Sequence, residues 1–151
     1  EMVFTGATNY SPFSPKYLDT PFVHWCGIFA TWAGLNAGMP LGKWDGTTDT
    51  SGAGALFSKP LDPTHKPMPG DIVLDTGRAA VVKGAKIASV HYGVITWVDT
   101  DAAAKATTPA QIQAIPIRTV EGNTGNWSEV LTHSGTIGSW KGGYRDVEKG
   151  A

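Results

Sequence analysis

The chain contains a single cysteine, Cys26, which excludes an internal disulfide framework. A fold without such cross-links depends on a hydrophobic core. A chain of 151 residues, 41% of them hydrophobic, is long enough to form one. The 19 glycines and 10 prolines indicate many turns, which favours a mixed, loop-containing domain over a helical bundle. We therefore expect one domain over residues 1–151.

The charge and the hydropathy of the sequence argue against a nucleic-acid partner, a membrane span and a signal peptide. The formal net charge is −1 and the basic residues form no cluster, so nothing favours nucleic-acid binding. No apolar run approaches the roughly 20 residues that span a bilayer. The first residues lack the basic and apolar regions of a signal peptide. We predict no nucleic-acid partner, no transmembrane segment and no signal peptide in this chain.

The stretch around the cysteine, WCGIFATWAGLNA at residues 25–37, predicts a buried helix of about three turns. Gly38 is suited to end this helix, and Pro40 prevents its continuation. Cys26 then lies at the helix start, where free N–H groups and the local dipole favour a thiolate. The alternative is that Cys26 is a small buried hydrophobic residue, as free cysteines usually are.

Antiparallel strands are predicted after this helix. The clearest is KIASVHYGVITWVDT at residues 86–100, in which residues 90–98 alternate between two faces. Further strands are predicted at 71–74, within 114–125, and once or twice within 135–148. The polar, alanine-rich segment 99–113 has the composition of an exposed insertion, and we expect it to border a substrate groove with the loop 41–59. The alternative is a surface excursion at the end of the sheet away from the site. A helix followed by antiparallel strands is typical of the α+β class.

The histidines are the candidate bases for a cysteine nucleophile. His91 lies on the best-defined strand, and the missing side chain of Gly93 on the same face allows another element to approach closely. His24 is too near Cys26 in sequence for an in-line base, and we expect it to line the site. Because His65 and His133 lie in polar stretches, we expect both to be solvated.

A third group must hold the imidazole in the correct tautomer. Glu121 and Asn123 are two residues apart, so on a strand both side chains point to one face and reach one site. The alternative for Glu121 is a solvated carboxylate at a strand end.

Four stretches in order, TPFVHWCGIFATWAGLNAG, KPMPGDIVLD, VHYGVITWV and VEGNTGN, resemble the motifs of the CHAP domain. This family comprises cysteine, histidine-dependent amidohydrolases and peptidases, close to other papain-like bacterial cell-wall peptidases. The resemblance covers about residues 16–127. The segment 99–113 is longer than is usual in the family, and the loop 41–59 does not match it.

The resemblance implies a papain-like α+β fold, in which an N-terminal helix carrying the cysteine packs on an antiparallel sheet carrying the histidine and glutamate. It implies hydrolysis of an amide bond in peptidoglycan or its peptide fragments, with no metal and no cofactor. The catalytic residues would be the nucleophile Cys26, the base His91, its orienting partner Glu121, and Asn123.

The same resemblance implies roles for residues around the cysteine and on the histidine strand. The backbone N–H of Cys26 would stabilise the oxyanion. We expect Trp25, His24 and Tyr92 to contact the substrate.

Two other functions stay open at this point. The same scaffold supports an acyltransferase or a transglutaminase-like enzyme, and an inactive domain would bind wall fragments or a partner through exposed tryptophans. We expect action on the cell wall, by a secreted, periplasmic or machine-delivered protein. A phage lysin, a housekeeping hydrolase and an antibacterial effector all fit, and an effector would need a cognate immunity protein.

Overall fold

A computed structural model describes residues 26–41, 52–82, 85–124 and 129–147. Within them, helices and an antiparallel sheet combine in the predicted α+β class. The sheet has the strand order β4-β3-β2-β1-β5, and every paired strand is antiparallel to its neighbour. The strands are β1 (Ile72–Val82), β2 (Ala85–Val98), β3 (Pro116–Thr124), β4 (Glu129–Thr136) and β5 (Gly143–Arg145).

Helix α1 spans Cys26–Asn36, close to the predicted bounds, and packs against β2 and β3. Gly38 follows it with φ at 79°, a left-handed conformation that glycine adopts without strain. Phe29 and Ala30 are buried on the side of the helix that meets the sheet. A 3₁₀ helix, Gly52–Ser58, continues this layer and bonds to α1 through the amide of Ala53, which donates to Thr31 Oγ1 at 3.0 Å.

The two faces of the sheet carry separate core clusters. The cluster on the face covered by α1, here the helix-side cluster, contains Cys26, Phe29, Ala30, Ala53, Leu56, Ile72, Leu74, Tyr92 and Val147. The cluster on the other face, here the far-side cluster, contains Val73, Ile95, Val98, Ala103, Ala106, Ile115, Ile117, Ile137, Trp140 and Tyr144. Successive residues of a strand point to opposite faces, and the alternation predicted for β2 holds as far as Ile95. An irregularity between Ile95 and Trp97 then turns Val98 into the far-side cluster, opposite to the face predicted for it.

Residues 99–113 form two short helices, α2 (Thr100–Lys105) and α3 (Pro109–Gln113), between β2 and β3. Each has a side-chain N-cap: the Asp99 carboxylate accepts from the Ala102 amide, and Thr108 forms a capping box. Ala103 and Ala106 are buried in the far-side cluster. Most of the other residues of the segment are exposed, as expected for an insertion, and these two alanines dock it on the sheet.

Strand β4 is an element that the sequence patterns do not predict. It pairs with β3 from Pro116↔Thr136 to Thr124↔Glu129, with an irregularity after Glu121. Among the described residues, none of the helices has the length and apolar character needed to cross a bilayer.

Candidate active site

The site is built around a hydrogen bond between neighbouring strands. His91 in β2 donates from Nε2 to Oε1 of Glu121 in β3 at 2.8 Å. Both residues are buried, at 5% and 1% exposure. A carboxylate only accepts hydrogen bonds, so Nε2 carries the proton and Nδ1 is the basic nitrogen of the neutral ring. The pair expected from the sequence is thus brought together.

Glu121 is held as an anion. Burial raises the pKa of this carboxyl, but hydrogen bonds from His91, Thr119 and His133 outweigh that effect and lower the pKa to about 2. Thr119 Oγ1 donates to Oε2 at 2.6 Å, and His133 Nδ1 donates to the same oxygen at 2.8 Å. At neutral pH the carboxylate therefore presents a negative charge to His91.

His133 is a site residue that the sequence reasoning missed. The sequence predicts it to be solvated in a loop, but it lies in β4 directly opposite Thr119 of β3. The available signal is the stretch VLTHSGT at 130–136, which contains three residues with a β-branched side chain. Because polar residues lie between them, the stretch lacks the regular alternation of apolar and polar side chains that predicts a strand.

Trp140 packs on the other side of His91. The two rings are stacked, with centroids 5.9 Å apart and planes inclined by 15°. A Cβ at Gly93 would lie 2.9 Å from Cη2 of Trp140 and 3.1 Å from Cγ of Glu121. The prediction that Gly93 allows a close approach is confirmed, and the element that approaches carries Trp140.

A cleft of about 260 Å³ opens beside Glu121 and His133. The residues that line it come from β1, β3, β4 and the segment after β4: Asp75, Ile117, Thr119, Glu121, His133, Ser134, Gly135, Ser139 and Trp140. Segment 99–113, which we expected to border the groove, contributes no residue to this lining.

Cys26 begins α1 as predicted, and its side chain lies against the backbone of β2 at the residue before His91. The thiol is 6% exposed, belongs to the helix-side cluster, and donates to the backbone carbonyl of Val90 with Sγ and O 3.7 Å apart. Tyr92, also in that cluster, points to the α1 face, so the adjacent His91 points to the opposite one. The stacking of His91 on Trp140, a far-side residue, agrees. The expected approach of sulfur and ring nitrogen within 3–4 Å stays a prediction.

The remaining predicted site residues are distributed differently. Tyr92 is 1% exposed and packs edge-on against Phe57, with ring centroids 6.2 Å apart, which favours a core role over substrate contact. Asn123 lies in β3, but its side chain falls outside the described part of the structure. His24 and Trp25 lie outside the described residues.

His65 is also not solvated as expected. It is buried, and Nε2 lies 2.8 Å from Oδ2 of Asp71, while Tyr144 donates from its hydroxyl to the His65 carbonyl at 2.7 Å. Burial raises the pKa of Asp71 to about 6, against the opposing effect of the hydrogen bond with His65. Oδ2 of Asp71 also accepts from the amide of Met68 at 3.1 Å, which ties the pair to the turn before β1.

Within the described ranges, no group of three or more His, Cys, Asp or Glu side chains is arranged to hold a metal ion. A comparison of the chain with protein-family models, with curated proteins and with solved structures finds no match.

Proposed function

We propose that this chain is a cysteine-dependent hydrolase of amide bonds in peptidoglycan, with His91 as the base and Glu121 as its orienting carboxylate. The observation that carries the proposal is the buried hydrogen bond between His91 Nε2 and Glu121 Oε1, at 2.8 Å. A histidine held in one tautomer by an anionic carboxylate is the arrangement that general-base catalysis requires. The resemblance of four sequence stretches to CHAP domains supplies the substrate class.

The chemistry follows from the proton positions. With Nε2–H donated to Glu121, Nδ1 of His91 accepts the proton of the Cys26 thiol. The thiolate attacks the amide carbonyl, the C–N bond breaks, and the imidazolium returns its proton to the leaving amine. A water molecule, deprotonated by the same nitrogen, then attacks the thioester. The acid product leaves, and the proton returns to the sulfur.

The proposed reaction requires Cys26 Sγ and His91 Nδ1 to come within about 3–4 Å of each other. The thiol already contacts the carbonyl of Val90, the residue before His91, so it lies beside the correct strand. We propose that the two groups meet at this point of β2.

A second function is favoured by one specific observation, the burial of Cys26 in the helix-side cluster and its absence from the lining of the cleft. A domain fixed in this arrangement would bind wall fragments without cutting them. The cleft beside Glu121, with Trp140 and two serines in its lining, would then be the binding surface.

Mass spectrometry of the products released from purified sacculi separates the two functions. For the hydrolase, the wild type releases fragments with new amine and carboxyl ends, and Cys26→Ala releases none. His91→Ala loses several orders of magnitude of activity, and Glu121→Gln loses less. Lys105→Ala, an exposed change on α2, is the control that keeps full activity. Binding of sacculi without fragment release supports the binding domain instead, and acylated products would indicate transfer rather than hydrolysis.

A further inference from the structure

The second oxygen of Glu121 is held as firmly as the first. Oε1 accepts from His91, while Oε2 accepts from both Thr119 and His133, at 2.6 and 2.8 Å. The terminal torsion of a glutamate is intrinsically broad, so one contact would leave the carboxylate free to rotate. Donors on both oxygens fix its plane. The direction of Oε1 toward His91 is therefore set partly from the opposite end of the carboxylate.

The two donors on Oε2 differ in origin. Thr119 lies two residues before Glu121 on β3, and therefore moves with the same strand. His133 lies on β4 and reaches Glu121 from the neighbouring strand, opposite Thr119 in the register. Its side chain is 47% exposed and lines the cleft, whereas Glu121 is almost completely buried. His133 is thus the donor that ties the carboxylate to a second strand and to the surface of the cleft.

We propose that His133 is a positioning residue for the His91–Glu121 pair. It acts through Glu121: its Nδ1–H holds Oε2, and Oε1 then faces Nε2 of His91 in the orientation that fixes the imidazole. This inference rests on the proposed function for its catalytic consequence. The geometry it describes is independent of whether the protein hydrolyses anything.

Three variants at this position separate the hydrogen bond from the bulk of the ring. His133→Ala removes both, His133→Asn keeps a donor near the position of Nδ1, and His133→Gln moves the donor farther along the side chain. Thr119→Val is the matched change on the other donor to the same oxygen. Circular dichroism and thermal unfolding establish that each variant is folded.

The first measurement is the NMR signal of the His91 Nε2 proton, which requires no substrate. A proton donated to a buried carboxylate gives a protected, downfield resonance. We expect His133→Ala to shift it upfield or broaden it, and His133→Asn to retain it. An unchanged resonance in His133→Ala overturns the proposal, and so does its loss in both variants, because a retained donor would then have no effect.

The second measurement is the rate on a soluble muropeptide. We expect His133→Ala to lower kcat by roughly tenfold with little change in KM, since Thr119 still holds Oε2 in part. His133→Asn should recover most of the loss, and His133→Gln should recover less. Equal kcat in wild type and His133→Ala overturns the catalytic consequence. If the wild type has no activity, the proposed function fails, and the NMR result still decides the positioning role.

Discussion

The sulfur of Cys26 lies 3.7 Å from the backbone carbonyl of Val90, the residue that precedes His91 on β2. The proposed nucleophile is therefore packed against the strand that carries its proposed base. Cys26 is buried in the helix-side cluster in this position. The accessibility of the thiol in solution tests this packing.

Alkylation of Cys26 measures that accessibility. Because the residue is 6% exposed, we expect iodoacetamide to modify the folded protein at least roughly tenfold more slowly than the unfolded chain. Mass spectrometry over a time course gives both rates. If the folded protein were labelled as fast as the unfolded chain, the start of α1 would open readily, contrary to the packed arrangement.

Cys26→Ala tests the thiol for packing as well as for chemistry. The sulfur contributes to the helix-side cluster, so its removal should lower the free energy of unfolding by about 1 kcal/mol while abolishing hydrolysis. Urea unfolding and the sacculus assay give the two values. Retention of most activity would contradict the proposed nucleophile.

Glu121 should make the protein sensitive to acid. Its pKa is lowered from 4.5 to about 2 in the folded state. Between pH 2 and pH 4.5 the unfolded chain therefore binds more protons than the folded protein does. The stability that Glu121 contributes is complete above about pH 4.5 and is lost as the pH falls toward 2. Because a tenfold change in proton affinity corresponds to about 1.4 kcal/mol, the full loss amounts to about 3 kcal/mol.

The measurement is urea unfolding of wild type and Glu121→Gln across that pH range. The variant should lack this part of the pH dependence, while Asp101→Asn, an exposed change on α2, should keep it. If the free energy of unfolding depended on pH in the same way in wild type and Glu121→Gln, the lowered pKa of Glu121 would be contradicted.

Asp71 should act with the opposite sign. Burial raises its pKa from 3.8 to about 6, so the folded protein binds its proton more tightly than the unfolded chain does in this window. The free energy of unfolding should therefore decrease as the pH rises from about 4 to 6. Asp71→Asn removes the ionisation and should flatten the profile there. A profile unchanged from wild type would show that the Asp71 carboxyl does not titrate in this range.

Gly93→Ala tests the packing around His91. The added Cβ would lie 2.9 Å from Trp140, 3.1 Å from Glu121 and 3.2 Å from Val73, so the stacked indole must move. We expect a loss of about 1–3 kcal/mol in unfolding free energy, measured in urea. Gly135→Ala is the matched control on β4, because its nearest neighbour is Ser139 Oγ at 3.4 Å. Equal effects of the two changes would contradict the close contact.

The His91–Glu121 pair could be predicted because it depends on local patterns. The alternation in residues 90–98 identifies β2. The two-residue spacing of Glu121 and Asn123 places both side chains on one face of another strand. Pairing of these antiparallel strands then brings His91 and Glu121 together. The face on which α1 packs could not be predicted in the same way. The helix sequence CGIFATWAGLN carries no charged residue, so it gives no solvent side from which the face toward the sheet could be deduced.

His133 and His65 escape sequence reasoning for a different reason. Each is held by a carboxylate from another part of the fold, Glu121 across a strand pair and Asp71 across a turn. The polar residues around both histidines favour solvation when taken alone. Their contacts depend on tertiary neighbours, which local composition does not encode.

The sheet order has a consequence for the way the chain folds. Strands β1 to β4 follow one another in space as in sequence, so each of their pairings closes a connection between neighbours along the chain. Strand β5 instead returns from beyond β4 to pair with β1, and this contact closes the longest loop among the described strands. Because loop closure costs more entropy as the loop grows, we expect the meander to form first and β5 to dock late. Amide hydrogen exchange should then show the earliest protection in β2 and β3 and the latest in the three residues of β5.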